Sequence, residues 1–174
     1  MNLRKNIFIA LLLAIGFIMH QIVPGTLGSM KFDLMLSFIF VALMINKDFK
    51  SIIVTALLSG IITAMTTTFP GGQIANIVDK IITSLAVYFL IHLLANVKMG
   101  QIKVGIIAFL GTVVSGSVFL STSLFLVGLP APFMALFLAI VIPTSITNIF
   151  VTITIYNIVK MALKVTKLDL AMEI

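Results

Sequence analysis

The polar side chains best suited to chemistry lie in the stretch TTTFPGGQIANIVDK, residues 66–80, between two almost unbroken apolar runs. If a helix begins at Asn76, then Asn76, Asp79 and Thr83 fall on one helical face. A polar stripe in an apolar helix normally faces protein or water, so these side chains could bind a ligand. The alternative is a helix end in which Asn76 is the N-cap and Asp79 is the acid of a capping box.

The residues around this stripe favour a ligand site over a simple helix end. Lys80 places a cation in the first turn, where it opposes the helix dipole, so capping does not account for it. Gly71 and Gly72 stand before Gln73, and two glycines allow backbone N–H groups to approach a bound carboxylate closely. The dipeptide Pro70-Gly71 is also a common tight turn, which leaves a purely structural role open.

A second pair of opposite charges, Lys31 and Asp33, accompanies another apolar segment. Ser37, Phe40 and Met44 lie on the same helical face as this acid, and such a face is either packing or a binding wall. The two charges could also pair at the surface, a contact worth about 0 to 1 kcal/mol. Two stretches that each bring one cation and one anion suit a zwitterion, whose ammonium would meet a carboxylate and whose carboxylate would meet a lysine.

Other polar residues carry weaker signals. Asn148 lies in the middle of an apolar segment, with Thr144 and Thr152 one turn to either side. Its side chain either bonds to another helix or contacts the transported molecule. We expect neither His20 nor His92 to be a ligand or catalytic residue. Without cysteine and with two histidines, a metal site is not expected. The HExxH, GxSxG and P-loop signatures are missing, so we expect neither an enzyme nor an ATPase.

The elements that hold these residues are membrane helices. The chain is 61% hydrophobic and 9% charged, with a mean hydropathy of +1.29, whereas a soluble domain is usually about 25% charged. A spanning helix needs roughly 20 apolar residues, and the chain has several such runs in succession. The runs lack period-2 alternation, so helices rather than a β-barrel are expected.

Loop-like stretches divide the chain into six apolar segments, which predicts an all-α protein with six transmembrane helices in a single membrane domain, residues 1–174. The first segment lacks a small-x-small cleavage site before Pro24, so we interpret it as a retained helix. The second is short for a full span and is expected to be steep or partly sunk beneath a loop. The predicted helices are residues 6–23, 32–46, 51–68, 76–97, 104–127 and 133–159.

The basic residues predict the orientation in the membrane and account for the net charge of +6 without a nucleic-acid partner. With the N-terminus in the cytoplasm, all of the eleven basic residues except Lys31 and Lys80 lie on the inner side, as the positive-inside rule requires. Each of these two exceptions has an acidic neighbour. The sequence therefore predicts cytoplasmic N- and C-termini and a site near the outer face.

The stretches MKFDLML (residues 30–36) and TTTFPGGQIANIVDK (residues 66–80) resemble the signatures of the bacterial tryptophan transport protein family, and the similarity of spacing and length extends over essentially the whole chain. That family is similar to the S components of energy-coupling factor (ECF) transporters, six-helix membrane proteins that bind a small nutrient near the outer face. The resemblance implies a bacterial cell membrane protein that binds tryptophan, with a transmembrane T component and two ATPases as partners. It implies no cofactor in this chain, because ATP would be hydrolysed by the partner subunits.

A small-residue patch on the first helix, Ala10 and Ala14, matches the motif with which S components dock on the T component. The same residues could instead pack against helices of this protein or face lipid. Two other functions stay open besides the S component. One is a stand-alone transporter that couples uptake to ions through Asp33 or Asp79, and the other is a sensor or assembly subunit that transports nothing.

Tryptophan fits the charges and aromatic residues of the candidate site. Its indole could stack among Met30, Phe32, Phe40 and Phe69, and burial of its apolar surface would contribute about 25 cal/mol per Å². The residues themselves do not distinguish tryptophan from another small zwitterion. The predicted substrate-binding residues are Lys31, Asp33, Phe40, Phe69, Gly71, Gly72, Gln73, Asn76, Asp79, Lys80 and Asn148.

Overall fold

The computed structural model describes residues 3–25, 29–95 and 100–165, and within these ranges the chain forms helices and no β-strand. Five helices in this part of the chain are long and apolar enough to cross a membrane, and one is shorter. They confirm the predicted all-α bundle of six membrane helices. The helices are α1 Leu3–Ile22, α2 Met35–Ile45, α3 Phe49–Thr66, α4 Gly72–Leu93, α5 Gln101–Leu126 and α6, which joins Phe133–Leu136, Phe137–Val141 and Ile142–Val165.

The short helix α2 lies in the centre of the bundle. All 11 of its residues are buried, and it contacts each of the other five helices. A helix that is apolar on every face is typical of an interior position, because it has no polar side to turn toward water. Enclosure by the other helices explains why a segment too short for a full span is stable here.

Helix α4 begins at Gly72 rather than at Asn76, and this changes the role of Asn76. Gly71 precedes the first turn with a φ of 72°, a left-handed conformation that glycine adopts without strain. A Cβ at position 71 would also overlap the side chain of Val127. Asn76 lies inside the helix, where its side-chain amide donates to the carbonyl of Gly72 at 2.9 Å. The capping alternative for Asn76 is therefore wrong.

Helix α6 contains a π-helical segment, Phe137–Val141, an irregularity that the prediction of a helix over residues 133–159 did not specify. Pro143 lies just beyond it, and a proline inside a helix lacks the N–H donor and crowds the carbonyl four residues earlier. The N–H of Ile142 bonds instead to the carbonyl of Phe137, which widens the helix by one residue at this turn. Pro143 is thus the physical reason for the irregularity.

Two apolar clusters fill the interior of the described helices. The larger one surrounds α2. The smaller one lies at the end of the bundle where α2, α4 and α6 begin, and it consists of Met30, Phe69, Leu120, Leu136, Ile140 and Val141. Several of its members also line a cavity, which is the candidate site.

Candidate functional site

The cavity opens among the loops before α2 and α4 and the adjoining parts of α1, α5 and α6. Its free volume is about 650 Å³, a figure that includes the open space at its mouth. Its principal polar lining residues are His20, Lys31, Asp33, Asn76, Asp79, Thr112, Ser115 and Thr144. Its apolar lining residues are Met30, Leu36, Phe69, Phe119, Leu120, Ile140 and Val141, with Gly116 between them.

Three charged side chains form one buried network at the cavity wall. The ammonium of Lys80 lies 2.6 Å from Oδ2 of Asp33 and also pairs with Oδ2 of Asp79. The other oxygen of Asp79, Oδ1, accepts a hydrogen bond of 2.8 Å from the hydroxyl of Thr83. Asp79 and Lys80 are each only 1% exposed. The predicted stripe on α4 therefore meets the acid that precedes α2.

Two carboxyl groups, those of Asp33 and Asp79, share a single lysine in this network. Moving a charge out of water costs several kcal/mol, and only close ion pairs and hydrogen bonds recover that free energy. A carboxylate beside a cavity attracts a cation and suits the ammonium group of an amino acid. The electrostatics of the site thus match one half of a zwitterion.

Asp33 lies in the loop before α2, which begins at Met35, and not on the helix as predicted. Its Oδ1 accepts the N–H of Met35 at 3.1 Å and lies 3.3 Å from Nδ1 of His20. Burial by itself would raise the pKa of this carboxyl, but the charge of Lys80 and the nearby His20 outweigh burial and hold the pKa well below its usual range. Asp33 therefore stays ionised. His20, which we did not expect to be a ligand, lies in the wall of the cavity.

Lys31 supplies a cation on the cavity side of the same region. Asp33 pairs with Lys80, so the alternative in which Lys31 and Asp33 pair at the surface is wrong. The ammonium of Lys31 donates instead to the carbonyls of Thr66 at 3.0 Å and His20 at 3.2 Å. An ammonium has three donors, so these two bonds leave one that could reach a carboxylate in the cavity.

Asn148 connects three parts of the bundle behind the cavity. Its Oδ1 accepts a hydrogen bond of 3.1 Å from Ser37, and its Nδ2 donates to the carbonyl of Asp33 at 3.0 Å and to Thr112 at 3.1 Å. These contacts join α6 to α5, to α2 and to the loop before α2. They match the interhelical alternative for Asn148, while its contact with substrate stays a prediction.

The apolar side of the cavity is aromatic. The rings of Phe69 and Phe119 meet edge to face with their centroids 5.7 Å apart, a favourable geometry for aromatic pairs. The π-helical turn of α6 adds Ile140 and Val141 to this side. The cavity therefore combines a charged region with a surface on which a flat aromatic group could pack.

Some of the predicted binding residues line the cavity, and others lie elsewhere in the bundle. Phe40 is fully buried in the core around α2 rather than in the cavity, and Lys80 and Asn148 act from behind its wall. Gly72 is buried in the first turn of α4, whereas Gly71 and Gln73 are exposed there. Those that line the cavity are Lys31, Asp33, Phe69, Asn76 and Asp79.

Five lining residues of α5 were not predicted, although the spacing of three of them carries a signal. Thr112, Ser115 and Phe119 recur at intervals of three and four residues, so they lie on one face of the helix. Thr144 of α6 also lines the cavity, whereas the sequence pattern indicates it only as a neighbour of Asn148. The periodicity of polar residues within apolar runs could have identified this wall.

The two alanines of the predicted docking patch lie on the outer surface of α1. Ala10 and Ala14 are both exposed, whereas Leu12 and Leu13 point into the core. The alternative in which the alanines pack against helices of this protein is therefore wrong. No group of three or more metal-ligating side chains occurs among residues 5–25, 29–95 and 100–164.

A helical membrane bundle with a charged and aromatic cavity at one end defines a class, the multi-pass membrane proteins that can hold a small solute among their helices. Comparison of the sequence with protein families assigns the chain to one family within this class. The chain belongs to the family described as tryptophan transporter TrpP, whose sequence model matches residues 2–164.

Three similar proteins are each named a probable tryptophan transport protein. The one from Clostridium acetobutylicum is 41% identical over 95% of this chain and 96% of its own length. The relatives from Clostridium perfringens and Bacillus subtilis are 42% and 38% identical, and the alignments cover 94% of this chain and at least 95% of each relative. No solved structure matches the chain.

Proposed function

We propose that this chain is the substrate-binding subunit of a tryptophan uptake system and that tryptophan binds in the cavity. Membership of the family and the names of three relatives support tryptophan as the substrate. One observation supports the cavity as the binding site: groups of both charges lie in its wall. Lys31 has a donor left for a ligand, and Asp33 and Asp79 are two carboxyl groups of the same wall.

The zwitterionic part of tryptophan fits this charge distribution. Its ammonium would meet Asp33 or Asp79, where two acids share the single cation of Lys80. Its carboxylate would take the third donor of Lys31, with Asn76 beside it in the wall. Hydrogen bonds to charged groups contribute about 1.5 to 3 kcal/mol each, enough to select an amino acid over an uncharged aromatic molecule.

The indole would lie against the apolar side of the cavity. Phe69 and Phe119 offer ring faces and edges, and Met30 and Leu120 belong to the same region. Burying the ring there contributes about 25 cal/mol per Å² of apolar surface removed from water. Charges at one part of the cavity and rings at another would hold the two ends of the same molecule.

We further propose that the chain works as an S component of an ECF importer, with a T component and two ATPases as partners. The sequence has no P-loop, so an ATP-driven function would need such partners. The exposed Ala10 and Ala14 would let a partner helix approach α1 closely. The cavity would face outward and both termini would be cytoplasmic, in agreement with the positions of the basic residues.

Leucine at both Ala10 and Ala14 tests the docking surface. The added bulk should abolish ATP-dependent tryptophan uptake by the assembled complex. The affinity of the isolated chain for tryptophan should stay unchanged, because Ala14 lies about 9 Å along the helix axis from His20, which lines the cavity. A matched control exists on α6, where Ala135 and Ala139 have the same spacing and are also exposed. Leucine at these two positions should leave uptake intact. Normal uptake by the Ala10 and Ala14 variant would overturn the docking proposal.

A second candidate is a stand-alone transporter coupled to an ion gradient. The buried Asp33, Asp79 and Lys80 favour it, since ionisable groups inside membrane proteins often carry protons or ions. Tryptophan uptake by the purified chain alone, in liposomes with an imposed ion gradient, would support this candidate. Uptake only with ATPases present supports the S component, and binding without uptake in either setting supports a sensor.

A further inference from the structure

One hydroxyl group in the cavity wall already donates its proton to a backbone carbonyl. Thr144 is 4% exposed and lines the cavity, and its Oγ1 donates to the carbonyl of Ile140 at 2.6 Å. A hydroxyl has one proton and two lone pairs, so a Thr144 oxygen that donates to its own helix can only accept from anything else. The wall thus offers an acceptor that matches a neutral N–H group.

The irregular turn of α6 positions this acceptor beside the apolar side of the cavity. Ile140 and Val141 belong to the π-helical segment, and Thr144 comes three residues after Val141. Ile140, Val141 and Thr144 all line the cavity. Asn148, one turn further along α6, donates to the carbonyl of Asp33. Thr144 therefore lies between the apolar side and the polar network around Asp33.

Another hydroxyl of the wall is less suitable. Thr112 donates to the carbonyl of Ala108 at 2.7 Å and also accepts a hydrogen bond from Asn148 at 3.1 Å. Two protein partners already engage its oxygen. Thr144 has one protein partner, the carbonyl that accepts its proton, and it lines the cavity together with Ile140 and Val141.

We propose that Thr144 accepts the indole N–H of tryptophan and selects tryptophan over aromatic amino acids that lack this donor. The inference rests on the proposed function, in which the indole occupies this side of the cavity. An indole N–H buried without an acceptor loses its hydrogen bond with water, so the wall must offer one. Phenylalanine has no such proton and gains nothing from the contact.

Benzothienylalanine provides the test, because sulfur replaces the indole N–H with little change in shape. The dissociation constants of tryptophan and of this analogue are measured by calorimetry on the purified full chain. The wild type should prefer tryptophan by about three- to tenfold, the range of a neutral hydrogen bond. Thr144→Val should remove the preference, and Thr144→Ser, which keeps the hydroxyl, should retain it.

Thr147 gives a matched control on the same helix. Its hydroxyl donates to the carbonyl of Pro143 at 2.9 Å, as Thr144 does to Ile140, but it does not line the cavity. Thr147→Val should keep the preference for tryptophan. If Thr144→Val weakens both ligands equally, or if the wild type shows no preference, the role of Thr144 is overturned while tryptophan binding stands. If the wild type binds neither ligand, the proposed function itself fails.

Discussion

Lys80 is the residue on which the charge network depends. Its ammonium is the shared partner of Asp33 and Asp79, which come from different parts of the chain. Because α4 begins at Gly72 and not at Asn76, Lys80 lies in its third turn, where the helix dipole has little effect, and the two acids account for its position. The lysine does not serve the helix end but neutralises acids at the cavity wall.

Replacing Lys80 with methionine should destabilise the folded chain by about 3 to 5 kcal/mol, since two buried carboxylates would lose their cation. Thermal unfolding in detergent measures the effect. Lys31→Met is the control, because the Lys31 ammonium bonds to backbone carbonyls and is half-buried, so a smaller loss of about 1 kcal/mol is expected. Equal losses in the two variants would show that the Lys80 network does not hold the loop before α2 in place.

Close contacts between helices shape the region around the cavity. Phe40 of α2 was predicted as a binding residue, yet its ring packs against α5 at Gly111. A Cβ at position 111 would lie 2.7 Å from Cζ of Phe40 and 3.0 Å from Cγ2 of Val87. The absence of a side chain at Gly111 is what lets the central helix approach α5.

Gly111→Ala should therefore lower the free energy of unfolding by about 1 to 3 kcal/mol through overpacking. Gly105 lies on the same helix and is also buried, but an added Cβ there would meet Ile149 at 3.4 Å, an ordinary contact. Gly105→Ala should be neutral or slightly stabilising, because alanine favours helix more than glycine does. Thermal unfolding of the pair measures the difference. Equal stability of the two variants would contradict this account of the α2–α5 contact.

The sequence predicts the helices well because apolar runs and the polar stretches between them are local features. It also predicts which carboxylates are unusual, since Asp33 and Asp79 stand out in an apolar chain. It does not predict that they share Lys80, because that pairing depends on how the loop before α2 packs on α4. Pro143 signals an irregular turn in α6, but its contribution to the cavity follows only from the packing of α6 on α5.

The basic residues of the described helices and loops divide between the two ends of the bundle. Lys31 and Lys80 lie at the end with the cavity. The basic residues at helix ends and loops of the opposite end include Lys5, Lys47, Lys50, Lys103, Lys160 and Lys164. Under the positive-inside rule, this distribution predicts that the cavity lies on the outer side of the membrane.

Single cysteines test this orientation, and the chain has no native cysteine to interfere. Gln73→Cys and Ala131→Cys, at the cavity end, should react with an impermeant thiol reagent added to intact cells. Asp48→Cys and Gly100→Cys, both exposed at the other end, should react only after the membrane is permeabilised. The reverse pattern would place the cavity on the cytoplasmic side and remove the basis for uptake from outside.

The proposed function requires that this chain alone binds tryptophan through the charges of its cavity. Titration calorimetry of L-tryptophan into the purified protein tests it most directly, with Asp33→Asn and Asp79→Asn as variants whose folding is verified by thermal unfolding. We predict saturable binding to the wild type, and a loss of about 1.5 to 3 kcal/mol in the variant whose carboxylate meets the ammonium. Absence of binding to the folded wild type, or unchanged affinity in both variants, would contradict the claim.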